Sequence, residues 1–356
     1  MGFLKNLFSG TARTVRADPA GIEFAVAPGQ SILEAALAQG IAFPHSCTVG
    51  TCGSCKCTLV SGKIREIANF AYVLTAVELQ SGIILACQAA PRSDLTLNVV
   101  GLSRKQLTPA SDFIGTLVTV ADLTHDIKQI EVLLDRPIKF DAGQYVQLSV
   151  PGLHGARAYS LAQAPQADGN KRISLFIRHV QGGQFTDLLF SGELDQQQVK
   201  VHGPAGNFWL RDSRAPMITI AGGSGLAPLL SILEDAVARQ VGRPCLVLFG
   251  ARTAADLYCE NELAAIGRGW NGAFKFIPVL SDEPAASAWS GARGLVTERL
   301  AIDTTDFLSA DTEAYLCGPP PMIDAALPLL SDLGLTPANI HFDKFLDGSH
   351  GLQRAS

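Results

Sequence analysis

The sequence predicts a multidomain chain: a small α+β domain, then an antiparallel barrel, then an open parallel α/β sheet. Three observations carry this expectation. Four of the eight cysteines crowd between Cys47 and Cys57. Short alternating apolar runs separated by glycine and proline fill the middle of the chain, the pattern of a small barrel. From Pro216 onward, strand-like runs alternate with helix-like ones, the pattern of a parallel sheet. A length of 356 residues suits two or three domains, and 47% hydrophobic with 17% charged residues is an ordinary globular composition. A net charge of −5 gives no basic footprint for nucleic acid or anionic lipid.

The first segment, 1–100, opens with strand-like runs at 14–16 and 21–26, an amphipathic helix at 31–39 and a late strand at 95–100. Residues 101–112 (GLSRKQLTPASD) are polar, contain a proline and read as a linker. The barrel segment, 113–212, has strand runs at 115–120, 129–134, 145–150, 173–179 and 199–202. The last segment, 213–345, alternates strands (217–221, 244–250, 274–280, 314–317) with helices (228–239, 256–266, 321–330), and 346–356 is a polar tail. The N-terminal apolar stretch is broken by Lys5 and Asn6 and is too short for a signal-peptide core. It holds no twin arginine, and Asn6 stands where a myristoylation signal wants Ser or Thr. The longest uncharged run, 215–233, holds Pro216, Gly222, Gly223, Gly225 and Pro228. It reads as strand, glycine turn and helix rather than a membrane span. The expected location is the cytoplasm.

Within PHSCTVGTCGSCKC, Cys47, Cys52 and Cys55 follow a C-x4-C-x2-C spacing, and Cys87 comes much later. Three thiolates from one tight loop and a fourth from elsewhere are the plant-type 2Fe–2S pattern. Gly50 and Gly53 let such a loop fold closely and turn its N–H groups toward the cluster sulfurs. A zinc site usually takes two C-x2-C pairs, and only one is present. Cys57 fits none of the four positions and reads as a small buried hydrophobe. With the runs VAPGQSILEAALAQGI and LACQAAPRSDLTL on either side, residues 1–100 resemble the ferredoxin domain of oxygenase reductases, which implies a β-grasp fold.

The barrel segment carries RAYS, then IRHVQGGQFTDLL, then GPAGNF. An arginine suits a pyrophosphate, a tyrosine face suits a flavin ring, and a serine hydroxyl suits a hydrogen bond near flavin N5. The glycine pair before a helix start suits a phosphate at its N-terminus; a plain glycine turn with a threonine cap is the competing reading. In this order the three runs resemble the FAD-binding domain of the ferredoxin–NADP reductase superfamily. The resemblance implies that Arg157, Tyr159 and Ser160 hold the flavin, with Tyr159 on the ring and Ser160 near N5. It implies that Arg178, Val180, Gly183 and Thr186 line the FAD phosphates. FMN, bound by some relatives, is the alternative flavin.

MITIAGGSGLAPLLSIL reads as strand, glycine loop and helix, with Gly222, Gly223 and Gly225 offering N–H groups to a pyrophosphate and Pro228 near the helix start. Farther on, CGPPPMID follows a strand-like AYL. By the same resemblance Cys317, Gly318 and Pro319 lie beside the nicotinamide, opposite the flavin; a buried structural cysteine is the competing reading. Cys245 and Cys259 read as structural. The run FGARTAADLYCENEL offers Arg252 for a 2′-phosphate and Asp256, Glu260 and Glu262 for a free 2′-OH. Its likeness to GARTxxDLY runs of NADH-using reductases favours NADH over NADPH. The resemblance also suggests that Phe345 or Asp343 sits by the flavin.

The order of cofactors implies the chemistry. A nicotinamide gives two electrons as hydride, a 2Fe–2S cluster takes one, and a flavin handles both. No side chain needs to act as acid, base or nucleophile; Ser160 and Cys317 are the candidates beside the reacting atoms. Over roughly 14–345 the chain resembles the reductase component of bacterial multicomponent oxygenases. That implies an oxygenase, diiron or Rieske, or its ferredoxin as electron acceptor, and a monomer with no membrane or nucleic-acid partner. Alternatives are a reductase serving another redox or radical enzyme, such as a deoxysugar dehydratase, and a non-enzymatic redox sensor.

Overall fold

The computed structural model describes residues 11–45, 48–51, 53–106 and 108–346, with backbone alone at 103–106. Cys47, Cys52 and the tail from 347 lie outside the described residues. Internal contacts divide the chain into two units, Met1–Pro109 and Ala110–Ser356.

The first unit is built on a five-stranded sheet in the order Ile22–Val26, Arg13–Asp18, Leu95–Asn98, Lys56–Ser61, Ile83–Leu85. Arg13–Asp18 runs antiparallel to Ile22–Val26 and parallel to Leu95–Asn98. The alternation in these strands puts Val15, Ala17, Phe24, Val26, Leu95 and Leu97 on one buried face. Against that core packs the helix Ile32–Ala38, which buries Ile32, Leu33, Ala35 and Ala36. The S-x-x-E sequence starts it: Ser31 Oγ accepts from the Glu34 N–H at 3.2 Å, and the Glu34 carboxylate accepts from the Ser31 N–H at 2.9 Å. Such a box is worth about 1 kcal/mol. The stretch 101–112, expected as linker, differs. Ser103–Gln106 is a strand paired with Ile41–Ala42, and Ser111 already begins the first barrel strand. Strand pairing there uses backbone groups, which a polar sequence supplies as well as an apolar one.

In the second unit a six-stranded antiparallel sheet runs Arg157–Ser160, Tyr145–Ser149, Gln198–Ala205, Ser111–Asp122, Ile127–Ile138, Asn170–Arg178. A bridge between Leu161 and Leu175 brings its two ends together as a barrel. Leu117, Ile130, Val132, Val146, Leu148, Ile173 and Leu175 fill the interior. The parallel sheet follows, in the order Ala292–Arg293, Phe274–Leu280, Cys245–Ala251, Met217–Gly222, Glu313–Gly318, Ile340–Lys344. The strand order reverses at Met217–Gly222, and the crevice beyond the carboxyl end of that strand is where such sheets bind ligands.

The helix Leu226–Ala238 is apolar almost all round because it is covered on both sides. One side lies on the sheet. On the other, Ser231 Oγ donates to the Gln163 carbonyl at 2.6 Å, and the Glu234 carboxylate accepts from the Ala164 N–H at 2.9 Å. At Gly143 (φ +96°) a Cβ would lie 2.1 Å from the Phe208 carbonyl oxygen and 2.9 Å from Ile232 Cδ1. Glycine is what lets barrel and helix approach so closely.

The amino-terminal edge of the parallel sheet holds a buried polar network. Arg243 Nη2 pairs with Glu313 Oε2 at 2.8 Å, with side chains 1% and 11% exposed. The Tyr315 hydroxyl donates to the same carboxylate at 2.7 Å and accepts from the Arg211 N–H at 2.9 Å. Trp270 Nε1 donates to the Arg243 carbonyl. His341 lies 4.9 Å from the Tyr315 ring. Burial, then the charges of Arg211 and Arg243, push the His341 pKa down to about 3.

Candidate functional site

In the first unit the loop holding the cysteines turns at Gly50 (φ +82°) and Gly53 (φ +74°), a backbone region that costs other residues roughly 1–2 kcal/mol. A Cβ on Gly50 would meet Gln88 Cγ at 2.6 Å, and one on Gly53 would meet Val73 Cγ1 at 3.3 Å. The loop therefore closes onto the Ala86–Gln88 turn that carries Cys87. The Ala86 N–H donates to the Cys55 carbonyl at 3.1 Å. Cys55 and Cys87 are both buried, with sulfurs 3.3 Å apart. That is too far for a disulfide, ~2.05 Å, and near the ~3.8 Å expected of two thiolates sharing one tetrahedral ion at ~2.3 Å metal–sulfur distances. This pair fits the cluster, and Cys47 and Cys52 fall outside the described residues. Cys57 is buried in the adjacent strand; burial first, and the neighbouring Cys87 second, push its thiol up to about 12. It stays a protonated hydrophobe.

In the barrel, Arg157, Tyr159 and Ser160 share the edge strand Arg157–Ser160, paired with Tyr145–Ser149. Ser160 is 4% exposed. Burial raises the Tyr159 phenol well above its usual range, with Arg157 opposing, so it remains neutral. Val180, Gly183 and Thr186 form one tight turn. Thr186 Oγ1 donates within reach of the Val180 carbonyl (2.9 Å) and the Gly183 carbonyl (3.1 Å) and accepts from the Val180 N–H at 3.2 Å. A Cβ on Gly183 would lie 2.7 Å from that hydroxyl. The turn begins the helix Gln184–Ser191, whose first N–H groups suit a phosphate. Phe185, which the sequence reading passed over, joins the two motifs. It is buried, its ring centroid lies 5.6 Å from that of Tyr159, and the Arg157 guanidinium stands 5.8 Å from it. An apolar residue between Gly183 and Thr186 was the available signal.

The coenzyme loop joins Met217–Gly222 to Leu226–Ala238. Gly222 and Gly225 have ordinary φ values, −137° and −63°, yet neither has room for a Cβ. One on Gly222 would lie 2.7 Å from Met322 Sδ; one on Gly225 would lie 2.2 Å from the Cys317 carbonyl oxygen. The glycines thus bring the loop against the Cys317–Gly318 corner. Gly318 (φ +144°) leaves no room either, its Cβ falling 2.8 Å from the Gly222 carbonyl oxygen. The Tyr258 hydroxyl donates to the Gly223 carbonyl at 2.8 Å, its ring set edge-on between Phe176 and Phe249. Cys317 is wholly buried, and burial holds its thiol protonated well above the usual range. The Phe345 N–H donates to the Gly318 carbonyl at 2.9 Å, which fixes that aromatic beside the corner. Cys245 is buried in its strand; Cys259 is half-buried and precedes the helix Glu260–Gly269.

A cleft of about 260 Å³ opens at the carboxyl ends of these strands, lined by Gly222, Pro319 and Met322 and by Arg252 and Asp256. Arg178, expected at the FAD phosphates, also lines this cleft from the barrel, its Nη1 3.5 Å from the Cβ position of Gly223. Asp126, on the turn between the first two barrel strands, pairs with both arginines, at 3.1 Å from Arg178 Nε and 3.0 Å from Arg252 Nη2. Burial raises the Asp126 carboxyl, but Arg178, the Thr124 hydroxyl, His125 and Arg252 together hold it below its ordinary value. Asp256 Oδ2 accepts from the Thr253 N–H and hydroxyl at 2.9 and 3.0 Å. Its buried Oδ1 has no aligned donor among the described residues, with His125 Nδ1 3.2 Å away.

Three family models match in succession: a 2Fe–2S iron–sulfur cluster binding domain over residues 15–92, an oxidoreductase FAD-binding domain over 115–209 and an oxidoreductase NAD-binding domain over 219–327. The chain is 40% identical to the xylene/toluene monooxygenase electron transfer component of Pseudomonas putida, covering 93% of both chains. It is 38% identical to the reductase component of phenol 2-monooxygenase from a Pseudomonas species, over 96% of this chain and 97% of the other. Among solved structures, the Amycolatopsis cytochrome P450 reductase superposes with a TM-score of 0.75 at 38% identity, over 94% of this chain and 98% of that one. The ferredoxin reductase of carbazole 1,9a-dioxygenase gives 0.66 at 27% identity, over 94% and 99%.

Proposed function

The chain belongs to the family of electron-transfer reductase components of oxygenase systems, and from that membership we propose how its cleft and cluster loop are used. It is an NAD(P)H-dependent oxidoreductase that carries FAD and a 2Fe–2S cluster and passes electrons to a terminal oxygenase. FAD, when bound, converts a two-electron hydride into single-electron steps that an iron–sulfur cluster accepts. The residues of this chain bind, orient and exclude water. Arg157 and the Val180–Thr186 turn would hold the flavin phosphates, Tyr159, backed by the buried Phe185, would face its ring, and Ser160 would lie near N5. Gly222, Gly223 and Gly225 would take the coenzyme pyrophosphate, and the Cys317–Gly318–Pro319 corner, of which Pro319 lines the cleft, would stand against the nicotinamide. The wholly buried Cys317 stays protonated behind that corner and brings no charge to it.

The coenzyme is NADH. The observation that supports this is the Asp256 carboxylate lining the cleft beside an Arg252 that already carries two carboxylate partners. A carboxylate at the ribose end of such a cleft suits a free 2′-OH, whereas a 2′-phosphate would meet it as a like charge. The acceptor is a diiron monooxygenase or Rieske dioxygenase, or its ferredoxin, and docks over the cluster loop. There Val49, Tyr72 and Val77 are 67%, 77% and 75% exposed, and Tyr72 adjoins the Val73 that packs against Gly53.

The test is an anaerobic titration of the purified protein with NADH and NADPH separately, reading the visible spectrum and cytochrome c reduction. Rapid bleaching by NADH alone is expected. Bands that stay oxidised with both coenzymes would sink the reductase reading in favour of a redox sensor.

A further inference from the structure

We propose that Asp126 is the specificity-determining residue of the coenzyme cleft: it holds Arg252 against Arg178 and so withholds both guanidiniums from a 2′-phosphate. The inference rests on the NADH reading above and assigns it to a residue of the barrel rather than of the coenzyme sheet. Asp126 belongs to the turn between Ser111–Asp122 and Ile127–Ile138. Its Oδ1 accepts from Thr124 Oγ1 at 3.0 Å, its own N–H donates to that hydroxyl at 3.3 Å, and its carbonyl accepts from the His179 N–H at 2.8 Å. The carboxylate is therefore placed by its own turn before any coenzyme arrives.

One oxygen of that carboxylate, Oδ2, then meets Arg178 Nε at 3.1 Å and Arg252 Nη2 at 3.0 Å. Arg252 Nε faces a second carboxylate, Asp256, at 3.9 Å. The charged groups facing one another here are two guanidiniums and two carboxylates, with His125 alongside. Their formal charges cancel, so this end of the cleft offers no net attraction to a third phosphate. Guanidinium recognition of phosphate uses two parallel N–H donors from one face of the fork, and the fixed Asp126 already holds one nitrogen of each fork and offsets its charge. The pyrophosphate common to both coenzymes has the glycine loop and helix N-terminus instead, so the penalty falls on the 2′-phosphate alone. The trio His125, Asp126 and Asp256 also has ligand atoms near one another, but the two adjacent guanidiniums disfavour a cation there.

Binding of adenosine 2′,5′-bisphosphate and adenosine 5′-monophosphate to the flavin-loaded protein, measured by calorimetry, isolates the 2′-phosphate. Asp126→Asn keeps the shape of the side chain and removes its charge. It should tighten the bisphosphate at least about tenfold, the scale of one charge-assisted hydrogen bond, and shift the monophosphate far less. The ratio of kcat/KM for NADPH over NADH should rise by a similar factor, chiefly through KM. Asp126→Asn with Arg252→Ala should lose the larger part of the gain, leaving only what the released Arg178 supplies. Equal changes for both nucleotides, or none, would mean that Asp126 only braces the fold and would overturn the proposal. Arg252→Ala alone is an independent arm that survives any misfolding of the Asp126 variant. Unchanged bisphosphate affinity supports a withheld arginine; a tenfold loss shows Arg252 already free to bind and overturns it. A native protein that turns over NADPH as well as NADH refutes the coenzyme reading itself, a result visible before any variant is made.

Discussion

Two arginine–carboxylate pairs stand at opposite ends of the strand Cys245–Ala251, and they differ in nearly everything but chemistry. Arg243 and Glu313, at the amino-terminal edge, are 1% and 11% exposed and are enclosed by Tyr315, Trp270 and the Arg211 backbone. Arg252 and Asp126, at the carboxyl edge, are 51% and 19% exposed and line an open cleft. Charges taken fully out of water must have every partner present, so the first pair is committed to the fold. Charges left partly in water interact weakly with each other and can exchange partners with a ligand. One sheet thus spends its buried charges on stability and keeps its accessible ones for recognition.

The comparison breaks most visibly at the buried end. Glu313→Ala should cost about 3–5 kcal/mol, because it leaves the Arg243 charge buried and alone. Chemical denaturation read at the flavin would show it, while the iron–sulfur absorbance of the first unit, which has its own core, should persist to higher denaturant. A loss below about 1 kcal/mol would place this pair with ordinary surface bridges. Next comes Gly225→Ala. Its φ is ordinary, so any cost is steric: a Cβ 2.2 Å from the Cys317 carbonyl oxygen cannot be absorbed by a side-chain rotation. Overpacking of this kind costs about 1–3 kcal/mol, and an ångström of displacement at the nicotinamide wall should lower kcat/KM for NADH by roughly a hundredfold. Gly53→Ala is the contrast, since there the cost is backbone strain and the neighbours are side-chain ends.

His341 supplies the pH arm. Its folded pKa of about 3 lies below the ordinary value of 6.5. Between those values the unfolded chain binds a proton that the folded protein refuses. Stability should be undiminished above about pH 6.5 and fall as pH drops toward 3. His341→Phe should flatten that slope in urea melts taken across the window. An unchanged slope would shift the acid sensitivity onto the carboxylates.

Much of this was legible in the sequence because its signals are local. The amphipathic run at 31–39 became the helix Ile32–Ala38, MITIAG became a strand buried at every position, and C-x4-C-x2-C put its last cysteine beside Cys87. Asp126 and Phe185 were not legible, and the reason is physical. Asp126 meets partners 52 and 126 residues away, so nothing in its own neighbourhood marks it out from any turn aspartate. Ser103–Gln106 was missed because a strand that pairs through its backbone with Ile41–Ala42 needs no apolar alternation. The glycines divide the same way. Gly53 announces itself by a turn, whereas Gly225 is required by a carbonyl on a strand about ninety residues later, a close approach that only the packed sheet creates.

The smallest expected effect sharpens the comparison. Asp126→Asn should change unfolding free energy by roughly 1 kcal/mol or less, because its arginines are 43% and 51% exposed and water replaces what the carboxylate gave them. Thermal melts of the flavin-loaded protein at low and high salt would measure it, and the small difference should shrink further as screening increases. A loss of several kcal/mol, insensitive to salt, would make Asp126 a buried structural charge like Glu313 and remove the distinction between the two ends of the sheet. A near-silent melt beside a changed preference for the 2′-phosphate would show that the same ion-pair chemistry serves recognition wherever water can take its place.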